Sequence, residues 1–213
     1  WETSSQDDYF PYSKGGSEAW IMPQLNLELN WRSDGKEIKR IEGSRPQNTE
    51  FYFQSGLTWT YIKRTGRRFG YLPSGCVFDV GGSMLFPKNN DTTWSYMSIL
   101  NSTLYHGLFL SITPERQWNQ SDVGKLPWFE HLERNDELGE IAKRQYEVTL
   151  NKNCTDVNSP YYIGPALVPS SALDKCFYNN SIADTLVEDF DIGIRTGKKG
   201  DTITELARKH KKQ

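Results

Sequence analysis

Arg45, Gln47 and Asn48 stand together ahead of an apolar run. Lys63, Arg64, Arg67 and Arg68 crowd one turn. Arg116, Gln117, Asn119 and Gln120 follow a second apolar segment, with Lys125 shortly after. A guanidinium can bond guanine bidentately in the major groove and a carboxamide can do the same with adenine, whereas lysine chiefly neutralises phosphate. Taken singly, each group is ordinary solvated loop polarity; three of them on loops flanking a rigid sheet are what direct readout of bases requires. Asn101, in the middle of an apolar run, has a duller role available, a bond to a local backbone carbonyl.

Other chemistry lacks its residues. His106, His131 and His210 are far apart and none sits in a His-Glu-x-x-His or comparable metal pattern. No Gly-x-Ser-x-Gly elbow, Walker loop or Gly-x-Gly-x-x-Gly turn after a strand occurs. Asp189 and Asp191 with Lys198 and Lys199 can be fitted to a nuclease pattern, but that pattern is loose enough to favour a solvated loop. No catalytic residue, metal ligand or cofactor site of the chain's own is expected. The conclusion is a binding module.

The elements that would carry these groups are short strands followed by helices. Residues 25–31 alternate strictly, which places Leu25, Leu27, Leu29 and Trp31 on one strand face. Ser33-Asp34-Gly35 ends that strand as a turn, and residues 36–42 suit a short helix burying Ile38 and Ile41. Residues 51–53 and 57–61 both alternate around Gln54-Ser55-Gly56, a pattern for a hairpin or bulged pair. Phe69 with Tyr71, and Cys76 with Phe78 and Val80, continue the strand signal up to Gly81-Gly82. The period then changes. Trp94, Met97, Leu100, Leu104 and Leu108 recur at spacings of three and four, so residues 93–110 predict one amphipathic helix on the sheet, capped by Thr92 or Thr93. A charged segment, 129–150, predicts a long exposed helix; residues 151–180 are loop-rich and 201–208 suit a short helix with a basic end. The fold class expected is α+β: a curved, mostly antiparallel sheet with a packed amphipathic helix, followed by a helical spacer. The corresponding divisions are a module at 1–127, a spacer at 128–150 and a tail at 151–213.

Composition sets the limits. The 213 residues are enough for one domain, or one domain and an appendage, with 36% hydrophobic residues to fill a core. Twenty-five basic against 27 acidic side chains leave no basic field over the whole domain. Contact with nucleic acid would therefore use a local patch or a partner's positive surface. Cys76, Cys154 and Cys176 form no Cys-x-x-Cys spacing and read as reduced, partly buried thiols. No apolar run has the length of a membrane span, and a cytoplasmic setting is expected. The start at Trp1 and the basic end read as a piece of a longer protein.

An ordered series of short motifs carries a resemblance. It comprises Tyr12-Ser13-Lys14-Gly15-Gly16, Leu29-Asn30-Trp31 through Asp34-Gly35, Arg45-Pro46-Gln47-Asn48 with Tyr52-Phe53, Gly56-Leu57-Thr58-Trp59, Phe78-Asp79-Val80-Gly81-Gly82-Ser83 with Phe86-Pro87, Leu100-Asn101-Ser102, and Asp122-Val123-Gly124-Lys125-Leu126-Pro127. Over residues 12–150 the chain resembles the C-terminal part of PglX-type enzymes, the adenine-specific methyltransferases of BREX phage-defence systems. Type IIG and type IIL restriction–modification enzymes carry a similar domain. The resemblance implies a target-recognition domain serving methyl transfer from S-adenosylmethionine to adenine N6 on a base flipped out of duplex DNA. That family's Asn/Asp-Pro-Pro-Tyr/Phe tetrapeptide and its cofactor loop are absent here, so the cofactor is expected in a catalytic domain elsewhere in the parent. Ser121 departs from the pattern, in which a glycine precedes the aspartate. The implied partners are double-stranded DNA and that catalytic domain. An interaction module that docks other defence proteins, or is the target of a phage inhibitor, is the alternative.

Overall fold

The structure is a computed structural model that describes residues 8–15, 21–62, 69–113, 117–133, 135–156, 158–159 and 161–162. It is α+β. The strands are β1 (Tyr9–Ser13), β2 (Glu28–Asn30), β3 (Gly56–Thr60), β4 (Phe69–Leu72), β5 (Val77–Phe78) and β6 (Gly82–Leu85). The helices are α1 (Arg32–Arg40), α2 (Thr93–Leu100), α3 (Thr103–Ile112), α4 (Gln120–Val123), α5 (Glu130–Glu133) and α6 (Asp136–Asn153).

Two three-stranded sheets form, in the orders β2-β1-β5 and β4-β3-β6. β1 is antiparallel to β2 and parallel to β5. β3 is antiparallel to both neighbours, with Trp59 opposite Phe69 and Ser83. The sheets meet where the end of β1 crosses the start of β6. Gly15 has φ 72°, and a Cβ there would lie 1.8 Å from the Gly81 carbonyl oxygen; one on Gly81 would lie 2.3 Å from the Lys14 oxygen. Only glycine lets the two backbones pass this closely. Lys14-Gly15 and Gly81-Gly82, 66 positions apart, thus form one packing contact.

Several local expectations gave way to longer-range contacts. Only residues 28–30 of the 25–31 segment pair as a strand, because β2 is an edge strand with one neighbour; Leu25 and Trp31 are buried while Leu27 is 48% exposed. Ser33, Asp34 and Gly35 take φ of 51°, 59° and 66°, a left-handed turn inside α1, and Gly35 sits against the Trp31 ring. Ile38 packs against the core, but Ile41 ends that helix exposed. Residues 51–53 are not a strand. Thr49–Phe51 is a 3-10 turn, and Phe53, at φ 67°, exchanges backbone hydrogen bonds with Gly75 and Cys76. Val80 lies past the end of β5 and is exposed.

The helix expected over 93–110 is two helices. Asn101 ends α2, and Ser102 starts α3 with extended backbone and a hydroxyl that accepts from the Tyr105 N–H at 3.2 Å. Tyr105 and Phe109 then face the core and Leu104 turns outward. Thr92 precedes α2, but its hydroxyl donates to the Asn89 carbonyl instead of capping the helix.

α6 begins at Asn135, whose side chain accepts from the Leu138 N–H at 3.0 Å, with Asp136 and Glu137 in its first turn. It lies on α2 through a close approach of Gly139 to Ser95, and Ala142, Tyr146 and Leu150 are buried, each large side chain contributing about 1.5–3 kcal/mol. The charged segment therefore has a packed face as well as an exposed one. Beyond α6, Tyr161 is buried and donates to the Pro23 carbonyl at 2.6 Å, so Tyr161 packs on the body. Cys76 and Cys154 are buried thiols in the core; Cys176 and the helix expected at 201–208 lie outside the described residues.

Aromatic clusters fill the interior, two of them beside the strands. Trp59, Phe69, Phe109 and Trp118 lie between the β3 sheet and α3, with Phe109 stacked on Trp118 at 4.1 Å. Phe51, Phe86, Phe78, Tyr52 and Trp31 form a chain of ring contacts beside β5.

Candidate nucleic-acid interface

That second chain of rings floors a cleft of about 700 Å³. One wall is the segment from Ser44 to Asn48, which follows α1. It leaves the helix through Gly43, at φ 84°, and ends at Asn48, held at φ 55° ahead of the 3-10 turn. The other wall is the Asp79–Met84 strand entry with Gln120 from α4. Arg45, Gln47 and Asn48 are thus brought to one concavity with Gln120, from a segment more than seventy residues away. The first three are exposed and make no side-chain hydrogen bond or ion pair among the described residues. Gln120 donates to the Ser83 hydroxyl at 2.9 Å, which orients its carboxamide and leaves its oxygen to accept.

Tyr12 and Asp79 also line the cleft, and neither was singled out as a site residue from sequence. The Tyr12 hydroxyl donates to Asp79 Oδ2 at 2.5 Å, and Asp79 Oδ1 accepts from the Gly81 and Gly82 amides at 2.7 and 3.2 Å. Burial, then the bond to Asp79, pushes the Tyr12 phenol well above its ordinary range. Burial and the nearby carboxylate raise Tyr52 as well. The available signal was the presence of Tyr12 and Asp79 in two of the quoted motifs; 67 residues of separation concealed the pairing.

Gln117, Asn119 and Lys125 do not line the cleft. Gln117 bridges to Ile62 and accepts from the Tyr61 hydroxyl at 3.3 Å, at the extension of β3. Asn119 donates to Asp122 at 3.2 Å, and Lys125 pairs with the same carboxylate at 3.1 Å. Those two bonds, Lys125 first, hold the Asp122 carboxyl below its usual range. Lys63, Arg64, Arg67, Arg68 and Arg116 lie outside the described residues, as do Asp189, Asp191, Lys198 and Lys199. The role proposed for Asn101 is corrected: its carboxamide bonds the Phe69 backbone 32 residues away, not a local carbonyl.

Among the described residues no three His, Cys, Asp or Glu side chains gather as metal ligands, and no helix is long and apolar enough to cross a membrane. Nor do Gly81 and Gly82 fit a cofactor loop, since the space beside them is taken by the Ser13–Gly15 backbone.

Sequence comparison relates the chain to adenine-specific methyltransferases. It is 31% identical over 143 residues to the adenine-specific methyltransferase BrxX of Escherichia coli O9:H4 (strain HS), which covers 66% of this chain and 12% of that protein. It is 27% identical over 127 residues to the adenine-specific methyltransferase PglX of Lacticaseibacillus casei (strain Zhang), covering 56% and 10%. No family model matches. The chain spans about a tenth of the length of these curated relatives.

Proposed function

We propose that this chain is the DNA sequence-recognition module of an adenine-N6 DNA methyltransferase in BREX-type phage defence. The observation that carries the proposal is the convergence of Arg45, Gln47 and Asn48 with Gln120 on one cleft, in a chain similar to adenine-specific methyltransferases. Arg45 presents a fork that suits guanine O6 and N7, and the three carboxamides suit the N6 and N7 edge of adenine. Gln117 and Asn119 supply further polar edges near β3 and α4. The cations Lys63, Arg64, Arg67, Arg68, Arg116 and Lys125 would set position through phosphates, which orient a protein on the duplex without specifying sequence. S-adenosylmethionine and methyl transfer belong to the catalytic domain of the parent; the role of this chain is to choose the site.

The test is the methylated motif in cells carrying the parent with alanine at Gln47, Asn48, Gln117 or Gln120. A motif that loosens at one position supports the assignment, and an unaltered motif in all four variants ends it. A second reading, a docking module for other defence proteins, draws on the exposed Ile141 and Val148 on the outer face of α6. Capture of such a partner without salt-sensitive DNA binding would favour it.

A further inference from the structure

We infer that the cleft seats one nucleobase bearing an exocyclic amino group, held flat against Phe51. The inference deepens the DNA-recognition reading and rests on it. Reading base edges in a groove needs protruding side chains; it does not need a concavity. This cleft is concave and falls within the roughly 300–1,000 Å³ range of sites that enclose small ligands. Its floor is aromatic and includes Phe51, which donates its backbone N–H to the Asn48 carbonyl at 3.0 Å, is 39% exposed and is backed by Phe86 at 5.1 Å and 21°. A partly exposed ring, held flat by a second ring behind it, is a stacking platform for an unpaired base.

The polar groups define which base. Asp79 Oδ1 is engaged by two backbone amides, and Oδ2 receives one bond from Tyr12, which leaves that oxygen able to accept one more. The Tyr12 phenol is already donating to the carboxylate. The carboxylate wall therefore favours an amino donor, as on cytosine or adenine, and repels the carbonyl that uracil and thymine present at the same position. Gln120 and Asn48 line the same cleft and offer further polar groups.

The test uses the full chain and short single strands of dC and dU, which differ at that amino or carbonyl group and at the adjacent N3, followed by the tryptophan fluorescence of Trp31 in the cleft lining. The dC strand should bind at least about tenfold more tightly than dU. Phe51→Ala should lose about tenfold or more, the size of one base–aromatic stack, while Phe51→Trp should retain binding. Asp79→Asn keeps an oxygen for the Gly81 and Gly82 amides but replaces the acceptor with a donor, so the preference should shift towards dU. Free dCMP binding as tightly as the strand would identify a nucleotide as the occupant; binding only of the strand identifies an unpaired base in nucleic acid. Equal affinity for dC and dU, or no effect of Phe51→Ala while Arg45→Ala still weakens duplex binding, overturns the base seat and leaves DNA recognition standing. Absence of all strand and duplex binding overturns both.

Discussion

The Asn101 carboxamide pairs with the backbone of Phe69 on both sides: its oxygen accepts from the Phe69 N–H at 3.2 Å and its nitrogen donates to the Phe69 carbonyl at 2.8 Å. It acts as a third strand for one residue of β4, whose other edge is paired with β3. This bond also fixes where α2 stops, so the strand and the helix pair that cover it are tied at one buried residue. Asn101→Leu conserves much of the volume but leaves a buried N–H and C=O unpaired. Stability should fall by about 2–3 kcal/mol. Urea unfolding with an unchanged denaturant slope checks this; a loss under about half a kcal/mol would mean that water replaces the amide.

The crossing of β1 and β6 makes an equally local prediction. Gly15→Ala places a methyl on the Gly81 carbonyl and strains a left-handed residue. Stability should drop by about 2–4 kcal/mol. Gly107→Ala is the control, because nothing lies within 4 Å of a Cβ there and alanine favours a helix. Thermal melts that rank the two alike would show that the two backbones separate at little cost.

These two sites show what the sequence could and could not disclose. The alternation in β3 and β4 was legible because Leu57 with Trp59, and Phe69 with Tyr71, stand two apart and are all buried. The same alternation misled at 51–53, where Phe53 takes a left-handed conformation to bond Gly75 and Cys76, a partner that periodicity does not encode. The run from Trp94 to Leu108 keeps helical spacing straight through the break at Asn101, since the break is set by a strand elsewhere. For the site, Arg45, Gln47, Asn48 and Gln120 were legible as residue types. The cleft was not, because its floor is assembled from rings in four separate segments and its carboxylate is paired across the fold.

The paired phenols predict an alkaline limit. Tyr12 and Tyr52 both hold their protons more tightly folded than unfolded, through burial and the Asp79 carboxylate. A raised pKa means the folded state binds the proton better, so the contribution is complete below the unfolded value of about 10 and is lost as pH rises beyond it. The urea midpoint should stay flat up to about pH 9 and decline above about pH 10. In Tyr12→Phe the decline should be shallower, with a loss at neutral pH of about 1–2 kcal/mol from the missing bond to a carboxylate. Parallel declines in the two proteins would show that Tyr12 ionises as freely folded as unfolded.

Arg45 and Lys125 should behave differently toward DNA. Arg45 is exposed at the cleft with no partner among the described residues, whereas Lys125 is half committed to Asp122 and lies outside it. A bidentate base contact distinguishes sequences; a phosphate contact does not. Arg45→Ala should therefore relax preference at one position of the bound motif by about 1–3 kcal/mol. Lys125→Ala should weaken all sequences alike and lower the salt slope by about one, with little effect on folding because the lysine end of its ion pair is open to solvent. Selection from a randomised duplex pool at two salt concentrations separates these effects. If Arg45→Ala lowers affinity evenly and leaves the selected sequence intact, its guanidinium lies on phosphate, and base reading must come from the carboxamides at Gln47, Asn48 and Gln120.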